Sequence, residues 1–462
     1  MIFPRLLLSR TLLKEDGFIF ISIDDNEIDT LKNICNEIFG EENFIGKIIV
    51  KSNPGGRDYG GISLTHEYVL VYSKNYISEL NLVEDKEKVF KYKDEIGEFD
   101  DRELRNRNIK FNDKNRPNLC YPFYVNTNNI DNNGFYEISL EQKDNWTEVY
   151  PLISQGVQTV WRWSKKKVLE HINTEIKGKM KQDGTFQIIE KYRSPLKREK
   201  SIFDEKDIRN EYGTLSIKKI FGKDKPFDYP KSPILLKRLI NLGMNKDDII
   251  LDFFGGSGTT GQSVLELNQE DGGNRKFILV QLPEPTSNPD YPTISEITKE
   301  RIRRVINGYG DNPQPINDGF KVFKLDKSNY KVNEKINVNK DSDKEDIIKK
   351  LRLQFRSSIV HDQSLVEGYT ETDIIYENII KEGYNLNSKI ELVENIKEYK
   401  VYKITDIKNK KFYITFDKLN TDITQNKEFM GISNDTLFIC FDHNLSDSDK
   451  SNLSKTFLLK TI

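Results

Sequence analysis

Between Asp248 and Val264 the chain passes from a short apolar run, Ile249–Phe253, through a turn holding Gly255, Gly256 and Gly258, into a helical pattern starting at Thr259. No other segment constrains the fold as tightly. Glycine has no β-carbon, so these positions can take positive φ and bring backbone close to a ligand, and the helix that follows offers its first-turn amides. A strand, a glycine turn and a helix in that order are the layout of a nucleotide-type cofactor site. Asp252, at the strand tip, is placed either to accept hydrogen bonds from a cationic or hydroxylated ligand or to cap the strand end. Gly256-x-Gly258-x-x-Gly261 also satisfies the dinucleotide fingerprint, so the turn alone leaves open a nicotinamide cofactor or another adenosine-containing one.

The surrounding pattern predicts an α/β fold interrupted by an insertion. At 462 residues there is room for two or three domains. Residues 1–79 read as the first part of an α/β core: a helix over Pro4–Lys14, then a continuously apolar strand Gly17–Ile23 of the kind covered on both faces in a parallel sheet. A helix follows whose Ile28, Leu31, Ile34, Cys35 and Ile38 recur at helical spacing until Gly40 stops it, and then a hairpin of Phe44–Lys51 with Glu67–Ser73 at the sheet edge. Residues 80–225 lose this periodicity and read as an inserted α+β domain. The core resumes over 226–330 with Ser232-Pro233 as helix start, the glycine turn, a second buried strand from Lys276 to Gln281, a helix over 292–307 and a strand Gly319–Leu325. Residues 331–350 form a charge-dense linker, and 351–462 a small C-terminal α+β domain.

Composition excludes several classes. Charged residues are 31% against 36% hydrophobic, and no apolar run approaches the roughly 20 residues that span a bilayer, so no membrane association is expected. Cys35, Cys120 and Cys440 are too far apart in sequence for a disulfide framework or a Cys-x-x-Cys metal site, which fits a cytoplasmic protein. The net charge of −2 hides a local surplus: residues 151–200 hold 12 Lys or Arg against 5 Asp or Glu. A local basic field of this kind is what phosphate binding requires.

A dinucleotide site wants an acidic residue at the tip of the next strand, and here that tip is Gln281. Upstream, Phe227-Asp-Tyr-Pro-Lys-Ser232 leads through its helix into the glycine-turn strand and is placed to close over the same ligand. At this point the chain resembles the methylation subunit of type III restriction-modification systems, adenine-N6 DNA methyltransferases of permuted motif order. The resemblance is carried by Pro4-Arg5-Leu6, Gly17–Glu27, Glu37–Gly40, Thr65–Lys74, Arg116–Pro122, Phe227–Ser232, Asp252–Gly258, Phe277–Pro283 and Gly319–Leu325.

It implies a Rossmann-like methyltransferase sheet that binds S-adenosylmethionine through Asp252, Phe254, Gly255, Gly256, Ser257, Gly258 and Thr259, with Pro230 and Lys231 covering the ligand. Gln281 departs from the acidic residue often found at this strand tip, so ribose contact falls to Gln281 or Glu284. The insertion then resembles a target-recognition domain for double-stranded DNA, its cationic candidates being Arg162, Lys165, Lys166, Lys167, Arg193, Lys197 and Arg198. Trp161 and Trp163 read as core aromatics, and His66 with Glu67 as structural. The resemblance also implies a homodimer that joins a restriction subunit.

One departure is decisive for the expectation. The family carries Asp-Pro-Pro-Tyr at the tip of the strand preceding the counterpart of Phe18–Ile23, and neither Asp-Pro-Pro nor Asn-Pro-Pro occurs in this sequence. That motif accepts the protons of the target amino group and stacks on the flipped base. The sequence therefore reads as an N-terminally incomplete methyltransferase lacking its catalytic strand, inactive alone unless another polypeptide supplies the segment. The alternatives are a non-catalytic DNA-binding or assembly half of a split enzyme, and a nicotinamide-dependent oxidoreductase.

Overall fold

The computed structural model describes residues 2–56, 61–85, 87–222, 225–310, 313–330, 345, 348, 349, 365–393, 399–419, 429 and 432–462. They divide into two compact units, 1–319 and 320–462.

In the first unit, α1 (Phe3–Leu12) takes Pro4 into its first turn, where a missing N–H forfeits no helical hydrogen bond. β1 (Phe18–Ile23) and α2 (Ile28–Phe39) follow, and Gly40 ends α2 at a φ of 94°. β2 (Phe44–Val50) and β3 (Glu67–Ser73) pair antiparallel, and β1 pairs antiparallel with the other side of β3. The apolar stripe of α2, Leu31, Cys35 and Ile38, shares a core with Leu6 of α1 and with Leu70 and Tyr72 of β3.

The first sheet departs from the sequence pattern in two respects. The Gly17–Ile23 run was expected within a parallel sheet, covered on both faces; β1 instead runs antiparallel to β3, and its residues are partly exposed. An apolar run reports a tendency to be buried, not a strand direction. Nor does the β2–β3 hairpin lie at the edge, because β3 is held between β1 and β2.

The insertion is built on a seven-stranded sheet. Its strands are β4 (Tyr92–Lys93), β5 (Glu98–Glu103), β6 (Phe123–Ile130), β7 (Tyr136–Ser139) and β8 (Thr147–Val149), then β9 (Ile176–Met180) and β10 (Phe186–Tyr192). They lie in the order β4-β5-β10-β9-β7-β6-β8. A short helix, α3 (Lys165–His171), precedes β9 and is capped by Ser164, whose side chain accepts from the Lys167 amide. Phe123, Val125, Ile138, Trp161, Val168 and Ile188 fill the core of this region.

The chain returns to the first sheet earlier than residue 225. β11 (Ile202–Phe203) pairs in parallel with β2, giving the order β1-β3-β2-β11, and α4 (Asn210–Phe221) packs against the helices that follow. Those elements are α5 (Pro233–Gly243), β12 (Ile249–Asp252), α6 (Thr259–Asp271), β13 (Lys276–Leu279) and α7 (Ile294–Asn307). β12 and β13 are parallel, joined by α6 as a crossover. Ile250 and Phe277 on one face meet Ile240, Val264 and Leu267 of α5 and α6. On the other face Ile249, Ile278, Val280 and Leu282 are exposed, so the strand from Lys276, expected to be buried, is covered on one face only and ends at Leu279. Phe253, just past β12, packs on the cluster that holds Ile19, Ile21 and Ile23 of β1.

In the second unit, α8 (Glu371–Lys381) lays Ile374, Ile375 and Ile379 on a five-stranded sheet. Its strands are β14 (Lys389–Leu392), β15 (Val401–Thr405), β16 (Lys411–Thr415), β17 (Leu437–Cys440) and, after α9 (Asp447–Leu453), β18 (Leu458–Thr461). The first three are antiparallel and the last two join in parallel. Gly319–Leu325 is not the expected strand: among the described residues no neighbouring ladder satisfies its backbone, the segment is irregular, and Leu325 is wholly exposed. The unit begins upstream of 351, since the Asn329 amide already donates to Glu377 of α8. Apart from 345, 348 and 349, the expected linker 331–350 lies outside the described residues. Among the described residues no helix is long and apolar enough to cross a membrane.

Candidate functional site

The turn between β12 and α6 is fixed by hydrogen bonds from both strands. The Val280 amide donates to Asp252 O at 2.8 Å and the Gly255 amide to Val280 O at 3.0 Å, extending the parallel ladder into the turn. The Gly256 amide donates to Gln281 Oε1 at 2.7 Å, and the Gly258 amide closes back on Gly255 O at 2.8 Å. Gly256 and Gly258 take φ of 50° and 82°, left-handed values that favour glycine. A β-carbon on Gly261 would lie 2.6 Å from Ile302 Cδ1, so this third glycine serves close packing of α6 on α7.

Asp252 is committed to the turn on both oxygens: Oδ1 accepts from the Phe254 amide at 3.0 Å and Oδ2 from Thr260 Oγ1 at 2.6 Å. Each carboxylate oxygen has a second lone pair, so strand-end cap and ligand acceptor are compatible roles. Phe254 is 62% exposed beside the turn, whereas Ser257 and Thr259 are buried beneath it. Pro230 is buried in the upstream loop; Tyr229 projects and is 77% exposed. The Lys231 ammonium lies 2.5 and 2.6 Å from the two Glu67 oxygens, tying that loop to the start of β3. Gln281 turns inward to the Gly256 amide, which occupies its acceptor, while Glu284 stands exposed. Glu67 therefore acts as a structural anchor, and His66 Nε2 pairs with Tyr68 OH at 2.8 Å.

Behind the turn lies a polar network that the sequence reading missed. Gln262 Nε2 donates to Glu266 Oε1 at 2.7 Å, the Tyr309 hydroxyl donates to the same oxygen at 2.5 Å, and Lys237 Nζ lies 2.6 Å from Glu266 Oε2. Burial pushes the Glu266 carboxyl upward, but the Lys237 charge and the three hydrogen bonds outweigh it and hold the group below its ordinary value. Arg301 and Thr298 of α7 complete the network at the turn itself. A hint was present: α6 places Thr259, Thr260, Gln262, Ser263 and Glu266, all buried, where an ordinary crossover helix would be apolar.

The seven cationic candidates of the insertion divide by what they touch. Arg162 pairs with Glu190 at 2.6 Å and donates to Glu103 O at 2.8 Å. Arg193 is gripped by Asp94 at 2.7 Å and Glu175 at 3.1 Å. Lys197 pairs with Asp85 at 2.9 Å, and Arg198 meets Glu79 at 3.3 Å with both side chains in solvent. Lys165, Lys166 and Lys167 lie exposed on α3, with no carboxylate partner among the described residues. Lys167 sits over the Trp163 ring at 3.8 Å and Lys165 over Tyr121 at 5.4 Å. Trp161 is core, its indole N–H donating to Tyr121 O at 2.7 Å.

Residues 1–284 match a family model described as DNA methylase. The chain is 36% identical over 342 residues to the type III restriction-modification enzyme EcoPI Mod subunit of Escherichia phage P1, covering 70% of this chain and 52% of that protein. It is 35% identical over 318 residues to the type II methyltransferase M.KpnI of Klebsiella pneumoniae, covering 67% of this chain and 74% of that protein. The chain thus spans about half the length of the phage Mod subunit and about three quarters of the Klebsiella enzyme. A crystal structure of the M1.HpyAVI-SAM complex overlaps 65% of this chain and 82% of that one, at 13% identity and a TM-score of 0.28, too slight a likeness to bear on the fold.

Proposed function

The chain belongs to the DNA methylase family, and from that premise we propose that it supplies the cofactor-binding and DNA-recognition parts of a site-specific, adenine-N6 DNA methyltransferase of a type III restriction-modification system. S-adenosylmethionine is the cofactor of this reading, and when bound it offers a sulfonium-activated methyl group. The observation that carries the reading is the turn itself: Gly256 and Gly258 in left-handed conformation at the mouth of α6, with Phe254 exposed next to them and the Phe227 ring of the upstream loop reaching Gly256. Glycine backbone can approach the methionine portion, Asp252 retains lone pairs for its ammonium, and the aromatic rings offer faces to an adenine. Glu284 is exposed for a ribose hydroxyl, whereas Gln281 acts by fixing the Gly256 amide.

Double-stranded DNA is the substrate of this reading, met by the insertion through Lys165, Lys166 and Lys167, with Arg198 reachable at the surface. A restriction subunit and a second copy of the chain are its protein partners, and the cytoplasm its location. Residues 1–462 contain no Asp-Pro-Pro or Asn-Pro-Pro, so the group that accepts the target amine's protons comes from another polypeptide segment. Two free strand edges support this. Among the described residues β1 pairs in its sheet with β3 alone and β12 with β13 alone, and the outer face of β12–β13 is apolar and exposed.

Calorimetry on the purified chain tests the cofactor reading. S-adenosylhomocysteine is expected to bind; binding of a nicotinamide dinucleotide in its place would overturn the assignment. Methylation of duplex DNA is expected from the chain only together with a polypeptide bearing Asp-Pro-Pro-Tyr. Adenine methylation by the purified chain alone would refute the need for that segment.

A further inference from the structure

Arg301 has no exposed surface, and among the described residues no carboxylate lies within ion-pair distance of it, the charge of Glu266 acting on it only through space. Its donors go to neutral oxygens: Nε and Nη2 to Gln262 Oε1 at 2.9 and 2.6 Å, Nη1 to Ser257 Oγ and Thr259 Oγ1 at 2.7 Å each, and to Ser257 O at 3.4 Å. One turn earlier on α7, Thr298 Oγ1 donates to Gly256 O at 2.6 Å. Two side chains spaced i, i+3 on one helix therefore hold three residues of the glycine turn, more than 40 positions away in sequence.

Burying a cation among neutral groups is costly, and an apolar residue would join α7 to α6 at lower cost. The return is in the turn. Glycine-rich backbone loses more conformational freedom on ordering than any other, and a turn that orders only when a ligand arrives subtracts that loss from affinity. Burial pushes the guanidinium down to about 10, so it still carries its charge at neutral pH.

We propose that Arg301 and Thr298 are positioning residues that brace the glycine turn in its ligand-ready form before the ligand binds. The proposal rests on the S-adenosylmethionine reading for the identity of that ligand, though not for the order of the turn. Its test uses the full chain with Thr298→Val, which removes one hydrogen bond at nearly constant volume, and Arg301→Lys, which keeps the charge and loses the fork. In the ligand-free variants, amide hydrogen exchange over 255–261 is expected to rise while exchange in the insertion sheet stays parental. Affinity for S-adenosylhomocysteine is expected to fall about tenfold for Thr298→Val, the equivalent of one hydrogen bond, and further for Arg301→Lys. Folded variants with parental exchange in the turn and parental affinity would overturn the brace. If Arg301→Lys does not fold, Thr298→Val decides alone. If the parent does not bind S-adenosylhomocysteine, the cofactor reading fails, and exchange over 255–261 still decides the brace.

Discussion

Arg301 behind the glycine turn and Arg193 in the insertion each donate several hydrogen bonds, yet their partners differ in kind. Arg193 is neutralised by Asp94 and Glu175 and keeps part of its surface in solvent, whereas Arg301 is fully buried on amide, hydroxyl and carbonyl oxygens. Charge in the first region is spent on shaping a loop; in the second it closes ion pairs, and the α3 lysines, which have no such pairs among the described residues, are left for the phosphate contact proposed above. The first region should therefore respond to mutation through stability and turn order. In the second, only α3 should respond through salt-dependent binding, and the paired cations should respond through stability.

The largest effect is expected at Glu266, which compensates Lys237 inside the first region. Glu266→Ala leaves the buried Lys237 ammonium with only the half-exposed Glu270 and should cost about 3 kcal/mol, the low end for breaking a buried pair, read as a lower urea midpoint for the first unit. Lys237→Ala with Glu266→Ala should cost less than the two single changes summed. Additive losses would mean that the pair is not coupled, and the contrast with the insertion's part-exposed pairs would lose its basis.

Next comes the insertion. Replacing Lys165, Lys166 and Lys167 together with alanine should lower duplex-DNA affinity more than tenfold and flatten the salt dependence by a slope of about 2.7, three phosphate contacts at about 0.9 each. Arg193→Ala should leave that slope unchanged and lower thermal stability. An equal change in slope from Arg193→Ala would erase the distinction between free and paired cations.

That distinction also explains what could be read in advance. The glycine turn is contiguous: strand, three glycines and helix lie within 17 residues, so local rules reach it, and the turn, α5 with its Ser232 cap and the parallel β12–β13 pair all follow the sequence pattern. The partners of the cations are not local. Asp94 lies 99 residues from Arg193 in sequence, so a run of Lys and Arg over 162–198 cannot reveal which members are already taken. Strand direction was hidden for the same reason, because β1 looks apolar whichever way its partner runs. Arg301 and Thr298 were invisible as functional residues because they act on the turn from a helix more than 40 residues further on.

The smallest effect concerns acid. Asp94 is held well below the usual carboxylate range, chiefly by the hydrogen bond from Arg193 and with Lys191 adding to it, against the opposing pull of burial. A carboxyl depressed in the folded state stabilises fully above its unfolded value of about 3.9 and loses that contribution as pH falls toward the folded value. Glu266, also depressed, behaves alike below about 4.3. Above pH 5 neither contribution should vary. Asp94→Asn should therefore lower stability at neutral pH and flatten its decline between roughly pH 4 and 2, measured as thermal unfolding of the insertion by near-ultraviolet circular dichroism. A variant that keeps the parental slope would place the acid sensitivity elsewhere, and Glu266→Gln, read in the same window, would show whether the network behind the turn carries it.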